Sequence, residues 1–441
     1  MSKGFLAYIF SFLGMLMCFQ VSQAQDTISL AVAVNMALKN NYDIQLAKNN
    51  VEIAQTNNSY GMAGGLPSIN GTASDQQQIQ DIRQETAGAG GATNTRVANG
   101  ATANTLAFNV TGSLVLFNGM RVVATKKRLN LLEEQNKEQL NLQIQNTIAA
   151  VAIAYYDIVR QQSYLKTLEK SIEAATSKLD IVNQQLKLGV SNNALLFQAE
   201  VDVNSLKQSL ITQQTAVKQA YQDFKALVNP TLEQEISIND SISIDPNLKL
   251  DSLESYFKNN PEMLAAVLNT KISEQLVKET ASQRYPTLRL NGGYNYNRNV
   301  ASGGFFLLNQ TQGPFVNLTL NLPIYNGNSF KRQEQSAKVA AQSSEIRKKS
   351  VELTYKTNAA KLWEAYQSSK QQLDLAQENY KIALQLLELI TKKFELRQAT
   401  IVDVKMAQQS FENAAYGIVN LQFSAKAAEI ELKRMAAKLD F

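Results

Sequence analysis

The chain carries an internal duplication, and this feature limits its fold more than any other. The motif Phe-Asn-Gly at 117–119 recurs as Tyr-Asn-Gly at 325–327, an offset of 208 residues, and a second element at 39–67 recurs at 258–286 with an offset of 219. The two offsets differ by 11 residues, and this insertion falls in the Gly-rich segment 88–100. We predict that the segment is a loop tip. Solenoid repeats have periods of roughly 20–50 residues, so each half is one large motif.

The first residues have the order of a secretory signal peptide. Lys3 is followed by an apolar run over 4–19 and by small residues before Gln25. The alternative is a membrane anchor, but a spanning helix needs about 20 apolar residues. We therefore predict that residues 1–24 are removed. Cys18 is the single cysteine, so the mature chain is predicted to have neither disulfides nor thiolate metal sites.

The chain contains no histidine, and its net charge is only +5. Without imidazole, the common nucleophile systems and histidine metal sites are excluded. The charge is too mild for a nucleic-acid-binding face. Glu133 and Glu134 are adjacent, so on a helix they would not face one another as an acid and base. We predict no enzymatic activity, no cofactor, no metal and no nucleic-acid partner.

Apolar residues recur at spacings of three and four through long stretches of both halves. In the first arms these residues are Leu165, Leu168, Ile172, Ala175, Leu179, Val182 and Leu186, and Leu373, Ala376, Tyr380, Ala383, Leu387, Ile390 and Phe394. After interruptions at 189–191 and 398–400 the pattern resumes over 196–227 and 404–435. Sustained spacing of this kind is typical of knobs-into-holes packing. Each half is therefore predicted to contain a helical hairpin.

The outgoing arm of the first hairpin is predicted to be very long. Neither Gly nor Pro occurs over 120–188, so one helix of about 65 residues would extend roughly 100 Å. A compact core cannot cover such a rod. Shorter helices or neighbouring copies must do so, and the predicted shorter helices are 30–60, 191–228, 262–284 and 401–438.

Four segments alternate between apolar and polar residues, as strands with two different faces do. They are 68–74, 106–116, 288–297 and 316–324. Strands of about 10 residues with aromatic ends match membrane β-strands. Four strands cannot close a barrel, and each unsatisfied edge group in lipid costs several kcal/mol. Three copies with twelve strands would close one, so we predict an α+β membrane protein with a trimeric β-barrel.

The ordered set of junctions resembles the TolC-like outer-membrane efflux proteins. The resemblance rests on the strand-to-helix junctions 116–119 and 324–327 and the hairpin tips 188–191 and 399–404, and it covers nearly the whole mature chain. It implies a homotrimer in the outer-membrane lipid of a Gram-negative bacterium, with a periplasmic coiled-coil tunnel. It also implies a periplasmic adaptor (membrane fusion) protein and an inner-membrane transporter of the RND or ABC class as partners.

The predicted function is a passive export conduit of a tripartite efflux or type I secretion system, gated at its periplasmic helical tip. The alternative is a periplasmic coiled-coil adaptor or structural protein, which would lack lipid-facing strands. The predicted organisation is a signal peptide (1–24), a first repeat with helix, two strands and long hairpin (25–228), an equatorial linker (229–255) and a second repeat (256–441).

The resemblance places Asp403 at the periplasmic entrance, where three copies would form a carboxylate ring. Like charges in a constriction concentrate cations and raise each other's pKa. Met406 stands where the family has a second Asp, so the ring is expected to be weaker. Read locally, Asp403 is a carboxylate at a helix N-terminus with Thr400 as the cap. The two interpretations are compatible.

Other residues near the second tip depart from the family pattern. Phe394 replaces a family Tyr, and Ala399 replaces a family Arg, with Arg397 nearby on a different helical face. We therefore expect the family's polar clamp to be altered. The positions expected to contact an adaptor are Gly189, Val190, Ser191, Ala399, Thr400 and Ile401.

Overall fold

The computed structural model describes residues 26–87, 90–91, 93–229, 231, 236–250, 257–304 and 306–439. The predicted signal peptide, 1–24, lies outside the described residues. The chain forms two compact units, and each combines segments of both repeats. The sheet unit contains residues 46–142 and 258–356, and the helical unit contains the described residues within 1–45, 143–257 and 357–441.

The elements follow the duplicated pattern of the sequence. In chain order they are β1 (Asp26–Thr27), α1 (Leu30–Asn40), α2 (Tyr42–Asn57), β2 (Ser68–Ala87), β3 (Thr93–Phe117), α3 (Arg121–Lys187), α4 (Asn193–Val228), β4 (Ile236–Ser237), α5 (Pro261–Ala281), a 3-10 turn (Ser282–Arg284), β5 (Thr287–Ala301), β6 (Leu308–Asn321), α6 (Ser329–Glu395) and α7 (Ile401–Met435). The long helices α3 and α6 each have 67 residues, which confirms the predicted length. Among the described helices, none combines the length and apolarity that a membrane-crossing helix needs.

The predicted helix over 30–60 is instead two helices separated at Asn41. The Asn41 Oδ1 atom accepts hydrogen bonds from the backbone N–H groups of Asp43 (2.9 Å) and Ile44 (3.3 Å). Its side-chain amide donates to the carbonyl of Leu227 at 3.0 Å. The asparagine therefore caps α2 and stops α1, because its side chain competes with the helical backbone bonds. The second helix ends at Asn57, so the prediction was too long at this end as well.

The sheet unit contains a four-stranded sheet in the order β2-β3-β5-β6, with every neighbouring pair antiparallel. The predicted number of long strands is confirmed among the described residues. The two β-hairpins pair in the same register. Ser68 lies opposite Ser113 in the first, and the residues that repeat these two, Thr287 and Asn321, lie opposite each other in the second. The central pair, β3 and β5, joins the two repeats.

All four predicted strands were wrong at one or both ends, because each strand is longer than its apolar alternation indicates. The segment predicted as a loop over 88–100 is strand from Thr93 onward, because β2 and β3 continue to pair far beyond their apolar parts. Gly100, with a φ of 65°, lies at an irregularity where its N–H donates to the carboxylate of Asp81 at 2.7 Å. A further error is at 322–324, since β6 ends at Asn321 before Pro323, which cannot donate to a ladder.

The two faces of the sheet differ in polarity, as predicted. One face carries exposed apolar side chains, among them Ile69, Phe108, Val110, Tyr294, Val316, Leu318 and Leu320. On the opposite face, the side-chain amide of Asn291 donates to Asn317 (2.8 Å) and Thr319 (3.2 Å). An exposed apolar surface of this extent marks a site of interaction with membrane or protein.

The helical unit buries the apolar stripe of the hairpins. All the stripe residues named above for the arms of both hairpins are buried or half-buried. The largest core cluster includes Tyr155 of α3 and Phe224 of α4, whose ring centroids lie 6.1 Å apart. Because the apolar register matches the burial along both arms, the predicted helical hairpins are confirmed.

The described part of the linker between the repeats packs on the helical unit. Strand β4 pairs in parallel with β1, two short strands that the sequence pattern did not indicate. Ile238 is buried in the core, and the hydroxyl of Tyr155 donates to Asp240 at 3.1 Å. The carboxylate of buried Glu429 accepts the N–H of Asp245 at 3.0 Å and also pairs with Lys433 at 2.8 Å.

Candidate gating site at the hairpin tips

Both hairpin tips have the same backbone turn. In the first, the N–H of Val190 donates to the carbonyl five residues earlier at 2.9 Å, and in the second the N–H of Gln398 does the same at 2.7 Å. The residue before each, Gly189 or Arg397, has a positive φ of 69° or 60°. These are the features of a Schellman C-cap. The repeat therefore reproduces the turn as well as the helices.

The structure corrects the prediction that Arg397 lies on a helical face. Helix α6 ends at Glu395, and Arg397 occupies the left-handed position of the turn. In the first tip this position is Gly189, which adopts such a conformation without a Cβ penalty. A non-glycine residue there costs about 1–2 kcal/mol. Arg397 is exposed, and the strain at this turn is specific to the second tip.

Asp403 and Thr400 form a capping box at the start of α7. The backbone N–H of Thr400 donates to Asp403 Oδ2 at 2.7 Å, and the backbone N–H of Asp403 donates to Thr400 Oγ1 at 3.2 Å. The hydrogen bonds from the backbone and hydroxyl of Thr400 hold the pKa of Asp403 below its usual value. The local interpretation, cap and N-terminal carboxylate, is confirmed. The entrance ring stays a prediction, and Asp403 is exposed as that role requires.

Phe394 lies in a tip core, defined here as Val182, Ala199, Phe394, Ile401 and Val404. These residues come from all four helices of the two hairpins, α3, α4, α6 and α7. Phe394 is buried, so its ring packs against both hairpins and does not line a surface. The tip core explains why an apolar ring is tolerated at this position without a hydroxyl group.

A buried ionic group lies next to the tip core, and sequence reasoning missed it. We call Lys178, Gln198, Asp202 and Lys405 the tip ion cluster. The Lys178 ammonium pairs with Asp202 Oδ2 at 2.7 Å, and Lys405 pairs with Asp202 Oδ1 at 2.9 Å. The Gln198 amide donates to the same Oδ1 at 3.0 Å. The cluster joins α3 and α4 of the first hairpin to α7 of the second.

Burial separates the two lysines of the tip ion cluster. The side chains of Lys178 and Asp202 are 0% and 9% exposed, whereas that of Lys405 is 45% exposed. Burial raises the pKa of Asp202, but the hydrogen bonds from Lys178 and Lys405 outweigh it, so the pKa lies below its usual value. Asp202 is therefore a carboxylate at neutral pH. It neutralises Lys178 inside the helical unit and binds Lys405 near the surface.

A sequence signal for this cluster exists in the apolar stripe. Lys178 lies three residues after Ala175 and four before Val182, and Asp202 lies three after Ala199. Both charges are therefore at stripe positions, where an unpaired charge would be costly. A charge at such a position implies a partner, although the spacing does not identify it.

A second polar contact links the hairpins further from the tip. The side-chain amide of Gln408, on α7, donates to the backbone carbonyl of Ser171, on α3, at 3.3 Å, and both residues are buried. The same amide group donates to Glu412 at 3.2 Å. These bonds add a polar contact between the hairpins to the apolar contacts around them.

Comparison with known proteins identifies the family. The chain matches the family described as "Outer membrane efflux protein" over residues 33–229 and 253–438. It is 21% identical over 307 residues to outer membrane protein TolC of Vibrio cholerae, covering 67% of this chain and 68% of that protein. It is 24% identical to toxin and drug export protein A of Aggregatibacter actinomycetemcomitans, covering 68% of this chain and 62% of that one.

Solved structures show the same fold. The outer-membrane channel OprN aligns over 93% of this chain and 90% of its own, with a TM-score of 0.76 and 14% identity. The CmeC channel of Campylobacter jejuni aligns over 96% and 92%, with a TM-score of 0.73 and 17% identity. The resemblance seen in the sequence is confirmed, and the adaptor alternative is not supported. The family match covers most of the chain, which therefore belongs to the outer membrane efflux protein family, the outer-membrane channels of Gram-negative efflux and secretion systems.

Proposed function

We propose that this chain forms a homotrimeric, non-enzymatic export conduit. In this proposal twelve strands from three copies close a β-barrel in outer-membrane lipid, and the helical hairpins form a periplasmic tunnel gated at their tips. The observation that carries the proposal is the four-stranded sheet, whose strand order leaves β2 and β6 at the edges and whose apolar face is exposed.

The edges of this sheet favour closure by further copies. Among the described residues, β2 pairs only with β3, and β6 pairs only with β5. Each remaining edge presents a row of N–H and C=O groups, which in lipid cost several kcal/mol per unsatisfied group. Four strands from each of three copies give an even-numbered barrel of a size known in outer membranes. Lipid would cover the apolar face, and the Asn and Thr face would contact water.

The work of export is proposed to come from partners. The sequence has no Gly-rich phosphate loop of the Walker type that would couple nucleotide hydrolysis to transport. We assign that work to an inner-membrane RND or ABC transporter, connected through a periplasmic adaptor protein. The adaptor would contact the turns at 189–191 and 399–401, where Gly189, Val190 and Thr400 are exposed and Ile401 is buried in the tip core. This contact would shift the population of closed and open tips.

The tip ion cluster supports the proposed gate. Lys405 on the second hairpin binds Asp202 on the first at 2.9 Å, so separating the hairpins would break this contact. Because Lys405 is partly exposed, the contact contributes about 1 kcal/mol or less. If the tip opens by separation of the two hairpins, the ion pair between Lys405 and Asp202 stabilises the closed state. In this chain it would take the place of the family's Arg and second Asp, whose positions are occupied by Ala399 and Met406.

The proposal is tested by the conductance of the purified protein in planar bilayers. We expect a low, cation-preferring conductance in the wild type and a higher one in Lys405→Ala, with Lys392→Ala, an exposed change on α6, as the charge-matched control. Loss of the contact should raise the open fraction by up to about fivefold per subunit. A wild type that is already wide open would contradict gating, and an equal rise in Lys392→Ala would show a general charge effect.

A further inference from the structure

We propose that the helical end of the sheet, where β3 leads into α3 and β6 leads into α6, binds the headgroups of anionic phospholipids. The cations that would bind them are Arg121, Lys127 and Lys331, which we call the basic belt. This inference rests on the proposed membrane barrel and adds the class of lipid that the barrel binds in its periplasmic leaflet. A phospholipid of this class has a headgroup with a net negative charge, as phosphatidylglycerol does.

The first observation is that positive charge is concentrated where the strands join the helices. The joining segments, taken with the first turns of α3 and α6, belong to the sheet unit and are 58–67, 118–132, 282–286 and 322–333. They contain seven lysine and arginine residues and neither aspartate nor glutamate. Seven exceeds the net charge of +5 of the whole chain. The excess positive charge of this protein therefore lies at one end of its sheet.

The opposite end of the sheet has no such excess. Its strand segments, 75–105 and 295–314, contain three cations and three carboxylates: Arg83, Arg96, Arg298, Asp75, Asp81 and Glu85. Arg83 and Glu85 form an ion pair at 2.8 Å. The two ends of the sheet therefore differ in charge, and a negatively charged surface is attracted to the helical end alone.

The cations of the basic belt are not neutralised within the chain. Two other cations of the joining segments have carboxylate partners at 2.7 Å, since Arg128 pairs with Glu279 and Arg284 pairs with Glu334. All three side chains of the basic belt are exposed, and within the described residues none of them forms an ion pair. The positive charge of the belt is therefore available to a ligand outside the chain.

Lys127 lies on a face of α3 that the neighbouring helices leave uncovered. Lys126 contacts the segment that follows α2, and Arg128 contacts α5, so these elements pack on either side of Lys127. Met120 and Val123 precede Lys127 by seven and four residues, which places all three on one helical face. Met120 and Val123 are 66% and 46% exposed. The cation thus continues an exposed apolar stripe, as expected where a protein passes from lipid tails to headgroups.

Exposed aromatic side chains lie between the strands and the basic belt. Phe117 ends β3, Tyr285 precedes β5 by two residues, and Tyr325 follows β6 by four. All three are exposed. Aromatic residues at strand ends are typical of the interface between a membrane barrel and water. Lysine and arginine side chains next to them extend their apolar stems along the lipid and place their charges among the headgroups.

The helix N-termini at this end add to the attraction for an anion. Neither α3 nor α6 has an acidic residue in its first turn, where Arg121 and Lys331 lie instead. In contrast, α5 and α7 have Glu262 and Asp403 in their first turns. The positive end of a helix dipole disfavours cations. A phosphate bound there would interact favourably with the dipoles and with the cations at once.

The test compares two lipids that have the same acyl chains and differ in headgroup charge. The purified mature protein in detergent is titrated with dioleoyl phosphatidylglycerol, which is anionic, or with dioleoyl phosphatidylcholine, which is zwitterionic. Native mass spectrometry counts the lipids bound to each protein. We expect the wild type to prefer phosphatidylglycerol, and we expect higher salt to weaken this preference because salt screens exposed charges.

Three variants locate the preference. Arg121→Gln/Lys127→Gln/Lys331→Gln should lower it by about fivefold for each cation removed. The matched control replaces the three arginines of the opposite end of the sheet by glutamine, which removes the same charge, and should keep the preference. The charge-conserving variant Arg121→Lys/Lys127→Arg/Lys331→Arg should keep it too.

The outcomes separate the lipid site from the trimer. Loss of the preference in the glutamine variant of the basic belt, with both controls unchanged, supports the inference. Equal binding of the two lipids by the wild type, a preference that salt does not change, or an equal loss in the matched control overturns it. Each of these results, in a protein whose detergent-corrected mass is that of three chains, leaves the proposed function standing. A mass of one chain in the wild type would instead refute the proposed trimer.

Discussion

Replacing Asp202 by alanine removes the carboxylate that pairs with the buried ammonium group of Lys178. That group is 0% exposed and lies 2.7 Å from Asp202. Removing one partner of a buried ion pair typically costs about 3–5 kcal/mol, because the remaining charge is left without compensation. The cost should fall on the hairpin tips, where α3, α4 and α7 meet. We expect Asp202→Ala to open this region locally and leave the sheet unaffected.

Hydrogen exchange measured by mass spectrometry is the suitable assay, since it reports local opening free energies. A loss of about 3–5 kcal/mol raises exchange by about a hundredfold or more in peptides that cover the cluster. Lys405→Ala is the matched control, because it removes only the half-exposed partner and should cost about 1 kcal/mol or less. The double variant Lys178→Met/Asp202→Leu removes both buried charges and should recover most of the lost protection.

The pH dependence of the same site has a defined sign. The folded pKa of Asp202 is below its ordinary value of 3.8, so its stabilisation is complete above that pH and is lost as pH falls through the folded pKa. Protection of the tip should be flat from neutral pH down to about 4. Equal exchange in Asp202→Ala and Lys405→Ala, or no recovery in the double variant, would refute the assignment of Asp202 as the counterion of Lys178.

Three further predictions concern the tips and the hairpin core. Leu387→Ala should lower the free energy of unfolding by about 2–5 kcal/mol because Leu387 is buried. Leu179→Ala should lower it less, because Leu179 is only half-buried. A wild-type melting temperature in Leu387→Ala would show that the apolar register is wrong. Arg397→Gly should stabilise the second tip by about 1 kcal/mol, because glycine adopts the left-handed conformation without strain. Amide hydrogen exchange at this tip should then be slower. Faster exchange would show that the arginine side chain stabilises the turn by more than the strain costs. Asp403→Ala should reduce block of conductance by multivalent cations, and unchanged block would remove Asp403 from the entrance.

The helices were predictable because their signal is local. The spacing of three and four, together with the absence of Gly and Pro over 120–188, predicted α3 within one residue at each end. The capping box of Thr400 and Asp403 was predictable for the same reason, since its partners are three residues apart. Asn41 was harder, because its side chain stops one helix and starts another within an otherwise continuous pattern.

The strand ends and the tip ion cluster depend on partners far along the chain. Strand β2 continues to Ala87 through a polar run of glutamines, where pairing with β3 and not an apolar pattern maintains the strand. Asp202 and Lys405 are separated by 203 residues. Their contact requires the packing of the two hairpins, which periodicity alone does not orient. The one sequence signal for the cluster was that Lys178 and Asp202 are charged residues at positions of the apolar stripe.

The proposed trimer follows from one property of the chain: a single copy cannot satisfy its own sheet edges or cover its apolar sheet face. The direct measurement is the mass of the mature protein in detergent, corrected for bound detergent, together with its circular dichroism after the detergent is removed. We predict a mass of three chains in detergent and aggregation or loss of structure without it. A monodisperse single chain that stays in solution without detergent and keeps its full helix and sheet signal would show that one copy needs no partner, and would contradict the proposed trimer.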